Sequence, residues 1–135
     1  MATKVFINLP VKNVQDSRKF FTELGFTINE QFSDEKAASV VISDAIYAML
    51  LQEEYFKTFT KKPVSDAKKG TEVLIALDAA SKEEVKTIVE KAVSAGGKIY
   101  KEPQDYGWMY THSFEDLDGH QWEIAYMDLS QMPQS

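Results

Sequence analysis

The stretch Phe114 to Glu123, FEDLDGHQWE, decides how this chain is read. It holds a strand end, an Asp-Gly turn at Asp118-Gly119 and the start of a second strand. Asp-Gly favours the positive φ angles of a tight hairpin, so the flanking strands should pair. Neighbours along a strand face opposite ways, so Trp122, Ile124 and Tyr126 can share a packed face while Glu123 looks out of the other. If that other face is a cavity, Glu123 is a site residue; if it is open solvent, it is a surface residue.

Outward from the hairpin, one order of elements occurs twice. In the first copy Val5, Ile7, Leu9 and Val11 share a parity, as in a half-buried strand. A helix follows, capped by Asn13 with Asp16 in its first turn; it presents Val14, Phe20, Phe21 and Leu24 and stops at Gly25. Strand-like runs cover Phe26 to Phe32, Ala37 to Ser43 and Ile46 to Gln52. The second copy opens with Glu72 to Asp78, where Val73, Ile75 and Leu77 share a parity. Ser81 with Glu84 makes a capping box, and Val85, Ile88, Val89, Ala92 and Val93 follow at helical spacing before Gly96-Gly97. Runs at Lys98 to Lys101, Trp108 to Phe114 and Gln121 to Met127 complete it.

The expected architecture is α+β: two βαβββ modules, each a helix on one face of a small mixed or antiparallel sheet, curled around a cleft. Module one spans residues 4–52 and module two 71–127 of a single domain, with a charged linker at 53–70 and a tail at 128–135. Within the linker EEYFKTF suits a short helix. The strand parity turned away from each helix carries Phe6, Asn8 and Pro10; Tyr47, Met49 and Leu51; Glu72, Leu74 and Ala76; and Glu123 and Ala125. That mixture is too apolar for a wet surface and too polar for a dry core, and it fits a ligand cleft.

Composition narrows the function. A chain of 135 residues, 44% hydrophobic and 27% charged, suits one soluble globular domain. No apolar run approaches bilayer length and no signal-peptide core opens the chain, so a cytoplasmic protein without a membrane partner is expected. The absence of Cys excludes disulfides and thiolate metal sites. A net charge of −6 with no basic stripe argues against nucleic acid. Phosphate loops, dinucleotide fingerprints, serine elbows and helical zinc motifs are missing from the sequence.

The paired repeat, with INLPVKNVQDSRKFFTELGF at Ile7 to Phe26 and FEDLDGHQWE at Phe114 to Glu123, resembles the vicinal oxygen chelate superfamily. That group includes glyoxalase I, extradiol dioxygenases and the fosfomycin- and bleomycin-resistance proteins, and the likeness runs from about Lys4 to Met127. The resemblance implies a divalent metal on the inner face, held by His or Glu from the first and fourth strands of each module. Those positions fall on Phe6 and Met49 in module one and on Glu72 and Glu123 in module two. Phe6 cannot ligate and Met49 is a poor ligand for a hard ion, so the implied metal site is degenerate.

Glu72 and Glu123 are thus the candidate catalytic residues and, with His112 as a third donor, the candidate metal ligands. Two carboxylates in one cleft would repel and raise the pKa of at least one, giving a general acid or base; the alternative is a pair of solvated remnants. Phe6, Asn8, Met49, Tyr106, Trp108, Tyr110 and His112 are candidate ligand-binding residues, the aromatic ones as walls for a flat molecule. The leading expectation is a homodimer that binds a small organic molecule in the cleft. The alternatives are a metal-dependent lyase, isomerase or dioxygenase, and a resistance protein that sequesters a drug without chemistry.

Overall fold

In the computed structural model, which describes residues 1–133, the chain forms two compact units that divide between Asp66 and Ala67. Of the tail expected at 128–135, Gln134 and Ser135 lie outside the described residues.

The first unit runs β1 (Val5–Val11), α1 (Val14–Glu23), β2 (Thr27–Ile28), β3 (Ala37–Val41), β4 (Ile46–Gln52) and α2 (Glu53–Phe56). Its sheet has the order β1-β4-β3-β2, with β1 parallel to β4 and the other pairs antiparallel. Asn13 caps α1 through its side chain, which accepts the Asp16 N–H at 3.0 Å. The helix buries Val14, Ser17, Phe20 and Phe21 over β3 and β4, whose Ala38, Val40, Ala48 and Leu50 are fully enclosed. The strand expected at Phe26 to Phe32 is cut to two residues. Asn29 accepts the Gln31 N–H and turns the chain into a short 3-10 helix at Glu30–Phe32, where Glu30 pairs with Arg18 at 2.6 Å.

The second unit repeats the plan as β5 (Leu74–Asp78), α3 (Lys82–Ser94), β6 (Gln104–Asp105), β7 (Met109–Glu115) and β8 (Gln121–Met127), with the sheet order β5-β8-β7-β6. Here too the first strand is parallel to the last, and the others are antiparallel. Ser81 accepts the Glu84 N–H at 3.0 Å, and Glu84 reaches back to the Ala80 N–H at 3.1 Å. Val85, Val89 and Ala92 seat α3 on β7 and β8, against Tyr110, Phe114, Trp122 and Ile124. Val93, expected on the same stripe, is 44% exposed. The strand expected at Lys98 to Lys101 reduces to a single bridge, Lys98 to Glu115, before β6. Each module is therefore α+β, with one helix covering one face of a four-stranded mixed sheet.

Candidate functional site

The second unit's hairpin is built around Asp116. Its Oδ1 accepts the backbone N–H groups of Asp118 and His120, both at 3.0 Å, and its Oδ2 accepts the indole N–H of Trp122 at 3.0 Å. The Gly119 N–H closes onto the Asp116 carbonyl at 3.1 Å, with Gly119 at φ +87°. The turn is thus longer than the two-residue form expected for Asp118-Gly119. Among the described residues only glycines take positive φ, so the type I′ turn, which needs it at both central positions, is excluded. Burial pushes the Asp116 carboxyl above its ordinary range, against His120, the Trp122 indole and the Asp118 N–H, which pull it down. Asp116 is a structural clamp that fixes where β8 begins and which way Glu123 faces.

From that start the register follows residue by residue. Glu123 stands between Ser113 on β7 and Ala76 on β5, and Thr111 stands opposite Ala125. These side chains share the sheet face that α3 leaves open, because cross-strand partners point the same way. Ser113 and Thr111 are buried at 4% and 8% exposure, while Glu123 is half-buried. Glu123, Ser113, Thr111 and Leu74 line a concavity of about 80 Å³ whose rim carries Tyr100, Lys101 and Glu102 from the connection after α3. Such a volume holds one small polar group, well short of the several hundred Å³ that encloses a drug-sized ligand.

Glu72 is not part of this constellation. It lies at an exposed bend before β5, which starts at Leu74. The residue level with Glu123 is Ala76. Glu72 precedes it by four positions, about 13 Å of extended chain. The two modules also number alike: Phe6 stands seven residues before the helix cap Asn13, and seven before Ser81 stands Leu74. Phe6 pairs with Tyr47, two before Met49, as Leu74 pairs with Gln121, two before Glu123. The four matching positions are therefore Phe6, Met49, Leu74 and Glu123, and one of the four offers an oxygen.

His112 has the opposite strand parity to Glu123, paired with Ile124, yet both line the concavity, where the His112 Nε2 lies 3.1 Å from the Lys101 carbonyl oxygen. Tyr110, expected at a cavity mouth, is 8% exposed on the helix side, with the Lys86 ammonium 5.5 Å from its ring. Tyr106 and Trp108 flank Gly107 in the β6–β7 turn, where the Tyr106 hydroxyl donates to Gln104 at 2.7 Å. In the first unit, Phe6 is 57% exposed and stacks on Tyr47 at 5.1 Å and 11°. Asn8 is exposed beside Met49, which faces the buried Ser39. Sequence reading passed over Ser113, Thr111 and Tyr100, and put Leu74 on the open face without giving it a role. The spacing from the Ser81 cap, added to that parity, is the signal that matches Leu74 to Phe6.

Among the described residues no three His, Asp or Glu side chains gather to hold a metal. With Phe6, Met49 and Leu74 as hydrocarbon or thioether, the donor set does not fit the three protein ligands of a catalytic first-row metal.

The chain matches the family model described as Glyoxalase/Bleomycin resistance protein/Dioxygenase superfamily over residues 5–124. Among curated proteins no relative matches. Among solved structures it is similar to hypothetical protein SA1046 from S. aureus, at 28% identity and a TM-score of 0.79 over 93% of this chain and 94% of that one. A glyoxalase/bleomycin resistance protein/dioxygenase family enzyme from Burkholderia phytofirmans PsJN aligns at 17% identity and a TM-score of 0.76, covering 90% of this chain and 96% of its own. The fosfomycin resistance protein FosX from Listeria monocytogenes aligns at 19% and 0.69, covering 96% and 97%. The last two likenesses concern the fold.

Proposed function

Because the chain belongs to the Glyoxalase/Bleomycin resistance protein/Dioxygenase superfamily, we propose that it binds a small organic molecule on the open face of its second module, with Glu123 as the polar anchor and no resident metal. One observation carries the reading: of the four strand positions where the resemblance implies ligands, Glu123 alone keeps an oxygen donor, and it lines the concavity with Ser113 and Leu74. A lone carboxylate is a weak site for a first-row ion but a sound hydrogen-bond acceptor for an organic group. Metal chemistry by a lyase, isomerase or dioxygenase would need donors that Phe6, Met49 and Leu74 do not supply. We place the protein in the cytoplasm as a homodimer; the charge of −6 and the absence of Cys support the first, and apolar residues on the edge strands support the second.

The test is metal content after exhaustive dialysis, in the wild type and in Glu123→Gln. Substoichiometric metal that does not change with the substitution is expected. Tightly held stoichiometric metal that Glu123→Gln abolishes would return the protein to the metal-dependent class.

A further inference from the structure

We infer that the concavity beside Glu123 takes a small organic cation, a protonated primary amine whose ammonium group meets the Glu123 carboxylate; this rests on the open face of the second module being the ligand site. Among the described residues the Glu123 side chain makes no hydrogen bond or ion pair, although the residue is half-buried. A carboxylate partly removed from water without a partner is unfavourable, and a cation that reaches it removes that cost. The nearby hydroxyls of Ser113 and Thr111 likewise carry no side-chain bond among the described residues. Each hydroxyl adds an acceptor, and an ammonium group has three N–H donors to satisfy.

The charges around the concavity favour a cation over an anion. Lys101 and Glu102 on the rim are both exposed and opposite in sign, so Glu123 leaves the lining at net −1. The chain as a whole stands at −6, which raises the local concentration of cations. An anionic head group would have to sit against Glu123 with only an exposed, already balanced lysine to attract it. The volume of about 80 Å³ suits the ammonium and the carbon that bears it. The remainder of the ligand would lie on Leu74 and Tyr100, which are 53% and 37% exposed and offer an aliphatic and an aromatic surface.

Three probes with one ring and different head groups test this: benzylamine, benzyl alcohol and benzoate, each titrated into isotope-labelled protein while backbone amide resonances are followed. Benzylamine is expected to move the amides of Leu74, Ser113 and Glu123 and to bind at least about tenfold more tightly than benzyl alcohol, with benzoate inert. Glu123→Gln should bring the amine down to about the level of the alcohol and weaken the alcohol far less, because its hydroxyl can still donate to the Gln carbonyl, the rest of the spectrum reporting that the fold is intact. If alcohol or benzoate binds the wild type as well as the amine does, the cation inference falls while the ligand-binding face stands. If none of the three moves these amides, both fall.

Discussion

Asp116 gathers three N–H donors at 3.0 Å while only 7% exposed, and a neutral isostere cannot replace it. In Asp116→Asn the amide oxygen can keep Asp118 and His120, but the amide nitrogen then meets the Trp122 indole N–H donor to donor. The loss should be about 1–3 kcal/mol in urea unfolding. It should also depend on pH. Burial raises the folded-state pKa of Asp116, so protonation favours the folded wild type. That stabilisation is complete below about pH 4, the ordinary Asp value, and is lost as pH rises through the higher folded value. The Asn variant has no such term, so its deficit should be largest below about pH 4 and shrink as pH rises through the higher folded value. A deficit that grows with pH would contradict the assignment. Glu123 was legible in the sequence because the Asp-Gly turn and strand alternation fix its face. Asp116 was not, because its partners lie across a turn whose length depends on its own side chain. Glu72 misled for a related reason: the apolar alternation of Val73, Ile75 and Leu77 extends past the point where β5 loses its partner.

Among the elements, the β7–β8 hairpin has the sharpest steric requirement. A Cβ on Gly119 would meet the Lys68 side chain at 2.7 Å, the Lys68 nitrogen at 3.0 Å and the Ala67 carbonyl carbon at 3.1 Å, at a φ of +87°. Gly119→Ala therefore combines left-handed strain with displacement of the Ala67-Lys68 backbone. Gly25 ends α1 at φ +106°, and a Cβ there would meet no atom within 4 Å, so Gly25→Ala carries strain alone. Each should destabilise by about 1–3 kcal/mol through backbone strain. Gly119→Ala should be the worse in thermal unfolding, and equal losses would show that the segment over the turn yields freely. The long elements were legible because their apolar periods and caps agree, as at Asn13 and Ser81. The short ones were not: β2 and β6 have two residues each, and what shapes them is the Asn29 turn and the pairing of Gln104 with Thr111. No periodicity can reveal a contact of that kind.

For the molecule as a whole, the expected homodimer turns on two sheet edges. β1 and β5 each end the order of their sheets, so each has one side without a strand partner in its sheet. An exposed edge invites pairing, and soluble monomers blunt it with charge or proline. β1 carries Pro10 near its far end, but its opening residues Val5 and Phe6 are 51% and 57% exposed. The chain entering β5 repeats this with Val73 and Leu74 at 54% and 53%. Apolar pairs at matching places on both edges suit a surface that a second copy buries, since isologous interfaces bring the same patch of each copy together. Sedimentation at micromolar concentration should give twice the chain mass of 15.3 kDa. Phe6→Asp places a charge within the exposed apolar pair that opens β1, far from the Asp116 hairpin in sequence and outside the second unit, and should shift the mass to a single chain with the helical signal retained. A wild type that sediments as one chain at every concentration would leave both edges to solvent and remove the dimer, while the proposal for the Glu123 concavity, lined by the second unit alone, would stand untouched.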